Sequence, residues 1–568
     1  MNPSRLLVTL FCGVIASACS TSSESVSEPR NLAVQTQAGP VEGFEADGVF
    51  SYRGIPYAAP PVGEMRWKPP VEPEPWTDTL AVVDPPPICP QEAFAGLPVP
   101  GFNPSEDCLY INVDTPSEGS DLPVMVWMHG GAFTLGEGLQ TDGGTSGDRI
   151  ARQTGVVVVS MNYRLGQLGF LAHSTLSGES PDGASGNYGL RDQTAALRWV
   201  RDNIRAFGGN PDNVTIFGES AGAFSVCSHV ASSVSAGLFS KAIMMSGSCE
   251  RPWPTLEAAE QQGDVFAAEL GCDTADDVLA CMRGKPFEEI LAALPPGENF
   301  GFSPPTGPQG SWGPIFDESF FARQPSDSFG SGDFNQVPTL IGFTREEARL
   351  FTWLGEIGTP PLEVTEDNYE ELLVYFLGGD ETLAAKALLE YPLSEFSEPT
   401  VALAAMVTDT VFRCPGRTEA AKISAYSPVY LYQFEFPDGR SQLEVALPFI
   451  GAEPPSYELA AFHSADIPYV FGYDPVLEIS FEDFSTTLNV WQPGSRDEAL
   501  WLELLGYFAR FASSGEPGAG TGPQWPLYDA EDERYLAVDT ATTIGANPAA
   551  KCEFWDGEDY LRPELVAE

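Results

Sequence analysis

The sequence predicts an α/β fold with a large, mostly parallel central sheet flanked by helices. Short apolar, β-branched runs bounded by turn residues recur along the chain, as buried strands do, at residues 123–128, 156–161, 214–217, 242–245, 339–341 and 429–434. Between the second and third runs, residues 192–207 carry apolar side chains at helical spacing, and Gly208-Gly209 ends that pattern. Strands that alternate with helices predict a parallel sheet, whose active site lies at the carboxyl ends of the strands.

The first 18 residues predict a signal peptide. Arg5 precedes an apolar run, residues 6–16, that is too short to span a bilayer. The run ends in Ala16-Ser17-Ala18-Cys19, which resembles a bacterial lipoprotein box and favours lipidation of Cys19, with simple cleavage after Ala18 as the alternative. Residues 19–30 form a polar, Ser-rich tether and residues 31–568 one catalytic domain. We therefore expect an exported protein, anchored in the cell envelope or otherwise secreted, whose only membrane contact is a lipid.

The charge balance argues against nucleic acid as a partner. The chain has 29 basic and 80 acidic residues, a formal charge of -51, and no basic footprint for a phosphate backbone. A solvated, soluble surface is the simpler interpretation of this acidity, and attraction of cationic substrates is the alternative.

The strongest local signal is Gly218-Glu219-Ser220-Ala221-Gly222, which follows the run 214–217 and precedes an apolar helical segment. This strand-turn-helix setting predicts a nucleophile elbow, in which the glycines allow close packing while the serine hydroxyl projects from a strained turn. Ser220 is the predicted nucleophile.

A serine nucleophile needs a base, and the chain has four histidines. The order serine, acid, histidine excludes His129 and His173. His229 follows Ser220 by nine residues on the same predicted helix, roughly 13 Å away at about 1.5 Å per residue. His463 remains, and activity should fall as it is protonated near a pKa of about 6.5. Scattered histidines offer no metal-ligand spacing, so no metal and no cofactor is expected.

Amide donors for an oxyanion are predicted after the run 123–128. His129-Gly130-Gly131-Ala132 has the form of the HGGG-type motif. The amides of Gly131 and Ala132, together with that of Ala221, are the predicted donors.

The chain resembles the type-B carboxylesterases, which include cholinesterases and bacterial para-nitrobenzyl esterases. The resemblance covers nearly all of residues 31–568 and rests on five ordered motifs: RGIPYA at 53–58, EDCLYINV at 106–113, NYR at 162–164, FGGNP at 207–211 and HSADIPYVFG at 463–472. It implies the α/β-hydrolase fold and a serine carboxylesterase that hydrolyses small-molecule esters through an acyl-enzyme on Ser220.

The third triad member has two adjacent candidates, Glu346 and Glu347, which both follow the run 339–341. The acid must reach the distal nitrogen of His463. In the family it is the second of two acidic residues, five positions after a glycine, which selects Glu347. Glu346 is then expected to be a solvated carboxylate beside Arg345.

The resemblance also implies covalent and ionic links. An even number of cysteines outside the signal segment suits an exported protein, and the family pattern matches three disulfides, Cys89 with Cys108, Cys272 with Cys281, and Cys414 with Cys552. Cys227 and Cys249 have no family match, so their pairing stays open. Two structural ion pairs are expected, Arg53 with Glu106 and Arg164 with Asp192.

The ester itself is less well defined. Cholinesterases hold choline with a tryptophan in the first disulfide loop, where this chain has Phe102-Asn103-Pro104 and no tryptophan. General carboxylesterase activity is therefore favoured over preference for a choline ester, a polyester or a complex natural product. A non-enzymatic adhesion homologue is disfavoured because serine, histidine and acid are all present.

Overall fold

The structure, a computed structural model, describes residues 32–92, 103–139, 144–295, 310–358, 361–437, 455–479, 486–489, 494–548, 551–558 and 560–561. The predicted signal peptide, the tether with Cys19, and Phe102 lie outside these residues. Within the described residues no helix has the length and apolar character needed to cross a membrane.

The strands are short, between 2 and 11 residues long. They are β1 (Ala33–Gln35), β2 (Pro40–Glu42), β3 (Phe44–Ala46), β4 (Val49–Pro56), β5 (Leu80–Ala81), β6 (Tyr110–Pro116), β7 (Leu122–Met128), β8 (Val157–Met161), β9 (Gly209–Glu219), β10 (Lys241–Met245), β11 (Thr339–Thr344), β12 (Val429–Phe434), β13 (Asp474–Ile479), β14 (Thr486–Asn489), β15 (Arg534–Val538) and β16 (Thr543–Ala546).

The α-helices connect these strands and cover the sheet. They are α1 (Asp148–Thr154), α2 (Gly166–Phe170), α3 (Ser174–Glu179), α4 (Tyr188–Asn203), α5 (Ala221–Ala231), α6 (Leu256–Glu269), α7 (Val278–Arg283), α8 (Phe287–Ala292), α9 (Pro325–Ser331), α10 (Ala348–Glu356), α11 (Tyr369–Phe376), α12 (Glu381–Glu390), α13 (Pro399–Val407), α14 (Cys414–Ser424), α15 (Ile467–Phe471), α16 (Arg496–Ser514) and α17 (Cys552–Trp555).

An 11-stranded sheet of the described residues has the order β16-β15-β12-β11-β10-β9-β7-β8-β6-β4-β3. The run from β15 to β8 is parallel, and the strands at both edges pair antiparallel. The prediction of a mostly parallel sheet is therefore confirmed. All six predicted runs form strands, and β9 begins earlier than predicted, at Gly209.

Successive side chains of the central strands point to opposite faces of the sheet, so the buried core has two parts, one on each face. In β7, Val124 and Val126 belong to one buried cluster, and Met125 and Trp127 belong to another. Side chains of α5 join the first cluster, and side chains of α16 join the second. A strand that is buried on both faces has a continuous apolar sequence. This is why these strands could be predicted from the sequence.

The structure contains the three expected disulfides, Cys89–Cys108, Cys272–Cys281 and Cys414–Cys552. It also pairs Cys227 with Cys249, which the sequence left open. This fourth bridge joins α5 to the segment that follows β10, so it lies beside the carboxyl ends of the central strands.

One of the two expected ion pairs is wrong. Arg164 and Asp192 are paired, with 2.7 Å between guanidinium and carboxylate. Arg53 instead binds Asp114 at 2.8 Å, because β4 pairs with β6 so that Ser51 lies opposite Asp114 and the register shifts just beyond. Glu106 lies before β6 and binds Arg66 at 2.7 Å.

Candidate active site

Ser220 lies between β9 and α5, on a backbone with φ of 56° and ψ of -124°. A non-glycine residue with positive φ is strained, and such strain is characteristic of functional sites. The Ser220 amide donates to the carbonyl of Met245 at 2.9 Å, which ties the turn to the end of β10. A Cβ atom on Gly222 would lie 2.0 Å from the carbonyl oxygen of Met128, so the tight turn requires glycine there.

His463 and Glu347 form a buried hydrogen-bonded pair. Nδ1 of His463 donates to Oε2 of Glu347 at 2.6 Å. The other carboxylate oxygen accepts from the Thr344 amide at 2.6 Å and from the Ser246 hydroxyl at 2.7 Å. Because Thr344 ends β11 and Ser246 follows β10, the ends of adjacent parallel strands hold the carboxylate in one orientation.

The second ring nitrogen of His463 is left open. Nε2 is buried and forms no hydrogen bond with the described residues, including the hydroxyl of Ser220. It lies 3.2 Å from Oε1 of Glu219, an oxygen that also accepts from the Ser464 hydroxyl at 2.6 Å. Catalytic hydrogen bonds often tighten only when substrate binds, so an open Nε2 is compatible with a base.

Several carboxylates set the electrostatics around this imidazole. Burial would lower the pKa of His463, but Glu219, Glu347 and Asp466 outweigh burial and raise it to about 9. Burial raises the pKa of Glu219 to about 7 and that of Asp466 to about 6. The sequence-based expectation of a pKa near that of free histidine missed these neighbours, which approach from separate parts of the chain.

The remaining histidines have structural partners. Burial lowers the pKa of His129 to about 4, and its ring stacks on Tyr163 with 4.3 Å between centroids. Burial lowers the pKa of His229 to about 3, and the ring bonds Ser235 at 2.7 Å. His173 caps α3. These contacts agree with the elimination that left His463.

The loop after β7 passes directly beside the serine. A Cβ atom on Gly130 would lie 3.2 Å from Cβ of Ser220. Gly131 and Ala132 both have positive φ, 104° and 51°. Within the described part of the chain their amides donate no hydrogen bond, and the amide of Ala221 at the start of α5 donates none either. Three unsatisfied amides are thus available near Ser220 for an anion.

Glu346 differs from the expectation of a solvated carboxylate. Its side chain is only 15% exposed. One oxygen binds Arg345 at 2.6 Å, and the other accepts from the Ala461 amide at 3.1 Å. The Glu346 amide also donates to the carbonyl of Ala461 at 2.9 Å, so backbone and side chain together hold Glu346 against the segment that leads to His463, and so away from water.

Aromatic rings that the sequence analysis did not single out lie against His463 and in the helix that follows Ser220. Phe351 and Phe412 lie with ring centroids 4.8 and 5.0 Å from the His463 ring. Phe224, one turn after Ser220, packs against Trp253 at 6.0 Å. Among the described residues no group of three or more His, Cys, Asp or Glu side chains is arranged to hold a metal ion.

Comparison with known proteins identifies the family of the chain. A family model described as the carboxylesterase family matches residues 30–555. The chain is 36% identical to para-nitrobenzyl esterase of Bacillus subtilis, covering 91% of this chain and 97% of that protein. It is 35% identical to acylcarnitine hydrolase of Mus musculus, covering 89% and 86%. A solved structure of a PNB esterase superposes with a TM-score of 0.74 at 34% identity, covering 92% and 99%.

Proposed function

This chain belongs to the carboxylesterase family and is a serine carboxylesterase with the α/β-hydrolase fold, and we propose that Ser220, His463 and Glu347 perform its hydrolysis of carboxylic esters. The observation that carries this assignment is the 2.6 Å bond between His463 and Glu347, which leaves Nε2 without a hydrogen bond and 3.2 Å from the carboxylate of Glu219, the residue before Ser220.

The reaction proceeds through an acyl-enzyme. Neutral His463 takes the hydroxyl proton of Ser220 at Nε2, and the serine oxygen bonds to the ester carbonyl carbon. The carbonyl oxygen becomes an oxyanion that accepts hydrogen bonds from the free amides described above. His463 then gives its proton to the departing alcohol. Water, deprotonated by His463 in turn, attacks the acyl-enzyme, and the acid leaves as Ser220 recovers its proton.

Glu347 has two roles in this sequence. Its bond to Nδ1 fixes the tautomer that leaves Nε2 able to accept a proton, and its charge stabilises the imidazolium that forms. The amides of Gly131, Ala132 and Ala221 stabilise the oxyanion in a buried site, where fixed donors are more effective than in water.

Covalent labelling tests the nucleophile. A fluorophosphonate probe should label Ser220, as located by peptide mass spectrometry, and Ser220→Ala should stay unlabelled while retaining the wild-type fold. Ser246→Ala is the matched control, because Ser246 is a buried serine of the same site that bonds Glu347, and this variant should still be labelled. A folded wild-type protein that takes up no probe would remove the assignment.

For the substrate, an uncharged ester with an apolar acyl or alcohol group fits the site best. The rings of Phe351 and Phe412 provide apolar surface against His463, and Phe224, which packs against Trp253, lies one turn after Ser220. The named relatives act on esters of several kinds, among them para-nitrobenzyl esters and acylcarnitines. Para-nitrophenyl butyrate should be hydrolysed with a higher kcat/KM than acetylthiocholine, and a choline ester preferred by about 100-fold would reverse this ordering.

The disulfides fit an oxidising compartment and suggest that the protein is exported. For residues 1–30 the proposal is a signal peptide over 1–18 and a polar tether that begins at a lipidated Cys19, with residues 31–568 as the catalytic domain. Mass spectrometry of the mature N-terminus tests it: an N-terminal Cys19 carrying acyl chains is expected, and an unmodified amine would leave a secreted protein.

A further inference from the structure

A π-helical turn, Thr408–Arg413, lies between α13 and α14. Such turns bond residue i to residue i+5, are rare, and occur frequently at functional sites. Residues five apart in an α-helix point about 140° apart around the axis, at 3.6 residues per turn. In the wider π-helix, residues five apart lie closer to the same side of the axis. Thr408 and Arg413 can therefore both form hydrogen bonds with one neighbouring segment.

That segment is the loop that carries Glu347. The hydroxyl of Thr408 accepts a hydrogen bond from the amide of Ala348 at 3.0 Å. The guanidinium of Arg413 donates to the carbonyl of Arg345 at 2.6 Å. The two ends of the π-helical turn therefore hold the backbone on both sides of Glu347.

The same turn also contacts the base. Phe412 is buried, and its ring centroid lies 5.0 Å from that of His463. Phe351 of α10 lies parallel to Phe412, at 5.8 Å, and contacts the imidazole from 4.8 Å. Aromatic rings at these distances limit the orientations of the imidazole and attract it when it becomes cationic.

The turn also makes contacts with residues outside the Glu347–His463 pair and its loop. Arg413 is paired with Asp409 at 3.2 Å, and Asp409 accepts from the buried hydroxyl of Tyr391 at 2.7 Å. Cys414, directly after the turn, is bonded to Cys552. The turn is thus a fixed support for the residues that it touches.

We propose that Thr408, Phe412 and Arg413 are positioning residues, and that the π-helical turn sets the geometry of the Glu347–His463 pair. This inference rests on the proposed triad and adds an element to it. Because catalysis depends on alignment, a displacement of the pair by about 1 Å is enough to cost about 10²-fold in rate. None of the three residues needs to touch the substrate.

Two variants remove the contacts on either side of Glu347. Thr408→Val deletes the acceptor of the Ala348 amide at nearly constant volume, and Arg413→Gln shortens the donor that reaches Arg345. We expect kcat to fall about 10- to 100-fold in each, with KM within about twofold of wild type. Thr408→Ser keeps the hydroxyl and should restore kcat to within about threefold.

Thr410→Val is the matched control. Thr410 lies in the same π-helical turn and is buried, but its hydroxyl donates to the carbonyl of Met406 and does not contact the Glu347 loop. This variant should keep the wild-type kcat, even where it lowers the melting temperature as much as Thr408→Val does.

The hydrogen bond itself supplies a second readout. The Nδ1 proton shared by His463 and Glu347 should give a far-downfield proton NMR signal, which Thr408→Val should shift or broaden and Thr410→Val should leave in place. A wild-type kcat and an unchanged signal in both Thr408→Val and Arg413→Gln would overturn the proposal, as would an equal loss of kcat in Thr410→Val. Glu347→Gln tests the triad separately from the positioning role of the π-helical turn, because a wild-type kcat in that variant would refute the triad itself.

Discussion

At the scale of single residues, the carboxylates around His463 determine the pKa of its imidazole. Glu347 bonds Nδ1, Glu219 faces Nε2 from 3.2 Å, and Asp466 lies close enough to add to their effect. Together they raise the pKa of His463 to about 9. This shift stabilises the folded state below about pH 6.5, the pKa of an unfolded histidine, and the stabilisation is lost as the pH rises through about 9.

Removing the charge of Glu219 should therefore change the pH dependence of activity. Protonated His463 cannot act as a base, so the acid limb of kcat/KM follows its pKa. Glu219→Gln removes a carboxylate that favours the protonated ring, and the acid limb should move to lower pH. Glu250→Gln is the control, because Glu250 is a buried carboxylate that binds Lys422. An acid limb that stays in place in Glu219→Gln would contradict the electrostatic account.

The two adjacent glutamates should differ strongly. Glu347→Gln should lower kcat by roughly 10³ to 10⁴, the scale expected when a triad acid loses its charge. Glu346→Gln should change kcat by less than about tenfold, because the carboxylate of Glu346 bonds Arg345 and the Ala461 amide, whereas the imidazole bonds Glu347. Steady-state kinetics with para-nitrophenyl butyrate measures both, and an exchange of the two results would make Glu346 the triad acid.

Sequence motifs offered Ser220 and Glu347 as candidates by their offsets from glycines, and elimination of the other three histidines offered His463; the structure brings His463 and Glu347 together. The contact between Glu219 and Nε2 was not predictable in that way, since it depends on how residues 219 and 463 approach in space. Phe412 and the π-helical turn carry no motif at all. In the sequence, the side chains of this turn resemble those of any buried helix, and only the fold brings Phe412 to the imidazole of His463.

At the scale of elements, the sharp turn between β9 and α5 depends on two glycines. A Cβ atom on Gly222 would lie 2.0 Å from the carbonyl oxygen of Met128, and one on Gly218 would lie 2.5 Å from the carbonyl carbon of Gly222. Both contacts are with backbone, so neither can be relieved by turning a side chain. The sequence indicated this turn because such glycines occur at set positions around the serine.

Alanine at Gly222 should consequently destabilise the protein and abolish activity. The strands β7 and β9 would have to separate, and Gly130 would move away from Ser220. Gly178→Ala is the control, because Gly178 lies in α3, and apart from its chain neighbours and the backbone of that helix no described atom lies within 4 Å of the added methyl group. Thermal unfolding should show a lower Tm for Gly222→Ala and an unchanged or higher Tm for Gly178→Ala. Equal Tm values would show that the turn tolerates a side chain.

At the scale of the whole molecule, a formal charge of -51 implies self-repulsion that salt should relieve. The Debye length falls from about 30 Å at 0.01 M to about 3 Å at 1 M ionic strength. Raising NaCl over this range should increase Tm by a few degrees, measured by calorimetry, whereas a non-ionic solute at equal osmolality should have a smaller effect. A Tm that falls with salt would mean that attractive ion pairs dominate instead.

The order of the sheet was the part of the architecture that the sequence could not supply. Alternating strands and helices predict parallel pairing, but β9 lies between β7 and β10, and β8 lies beyond β7. That order is set by crossover connections and by which apolar faces the helices cover. The mispredicted partner of Arg53 has the same origin, because the register of β4 against β6 determines it.

The disulfide between Cys414 and Cys552 also has a consequence for biosynthesis. Its cysteines are 138 residues apart, and the second emerges from the ribosome after Ser220, Glu347 and His463 have all been made. The covalent link that braces the π-helical turn therefore forms last, and only under oxidising conditions. A nascent or still reduced chain carries its three reactive side chains without that link, so full esterase activity should arise only after this disulfide has formed.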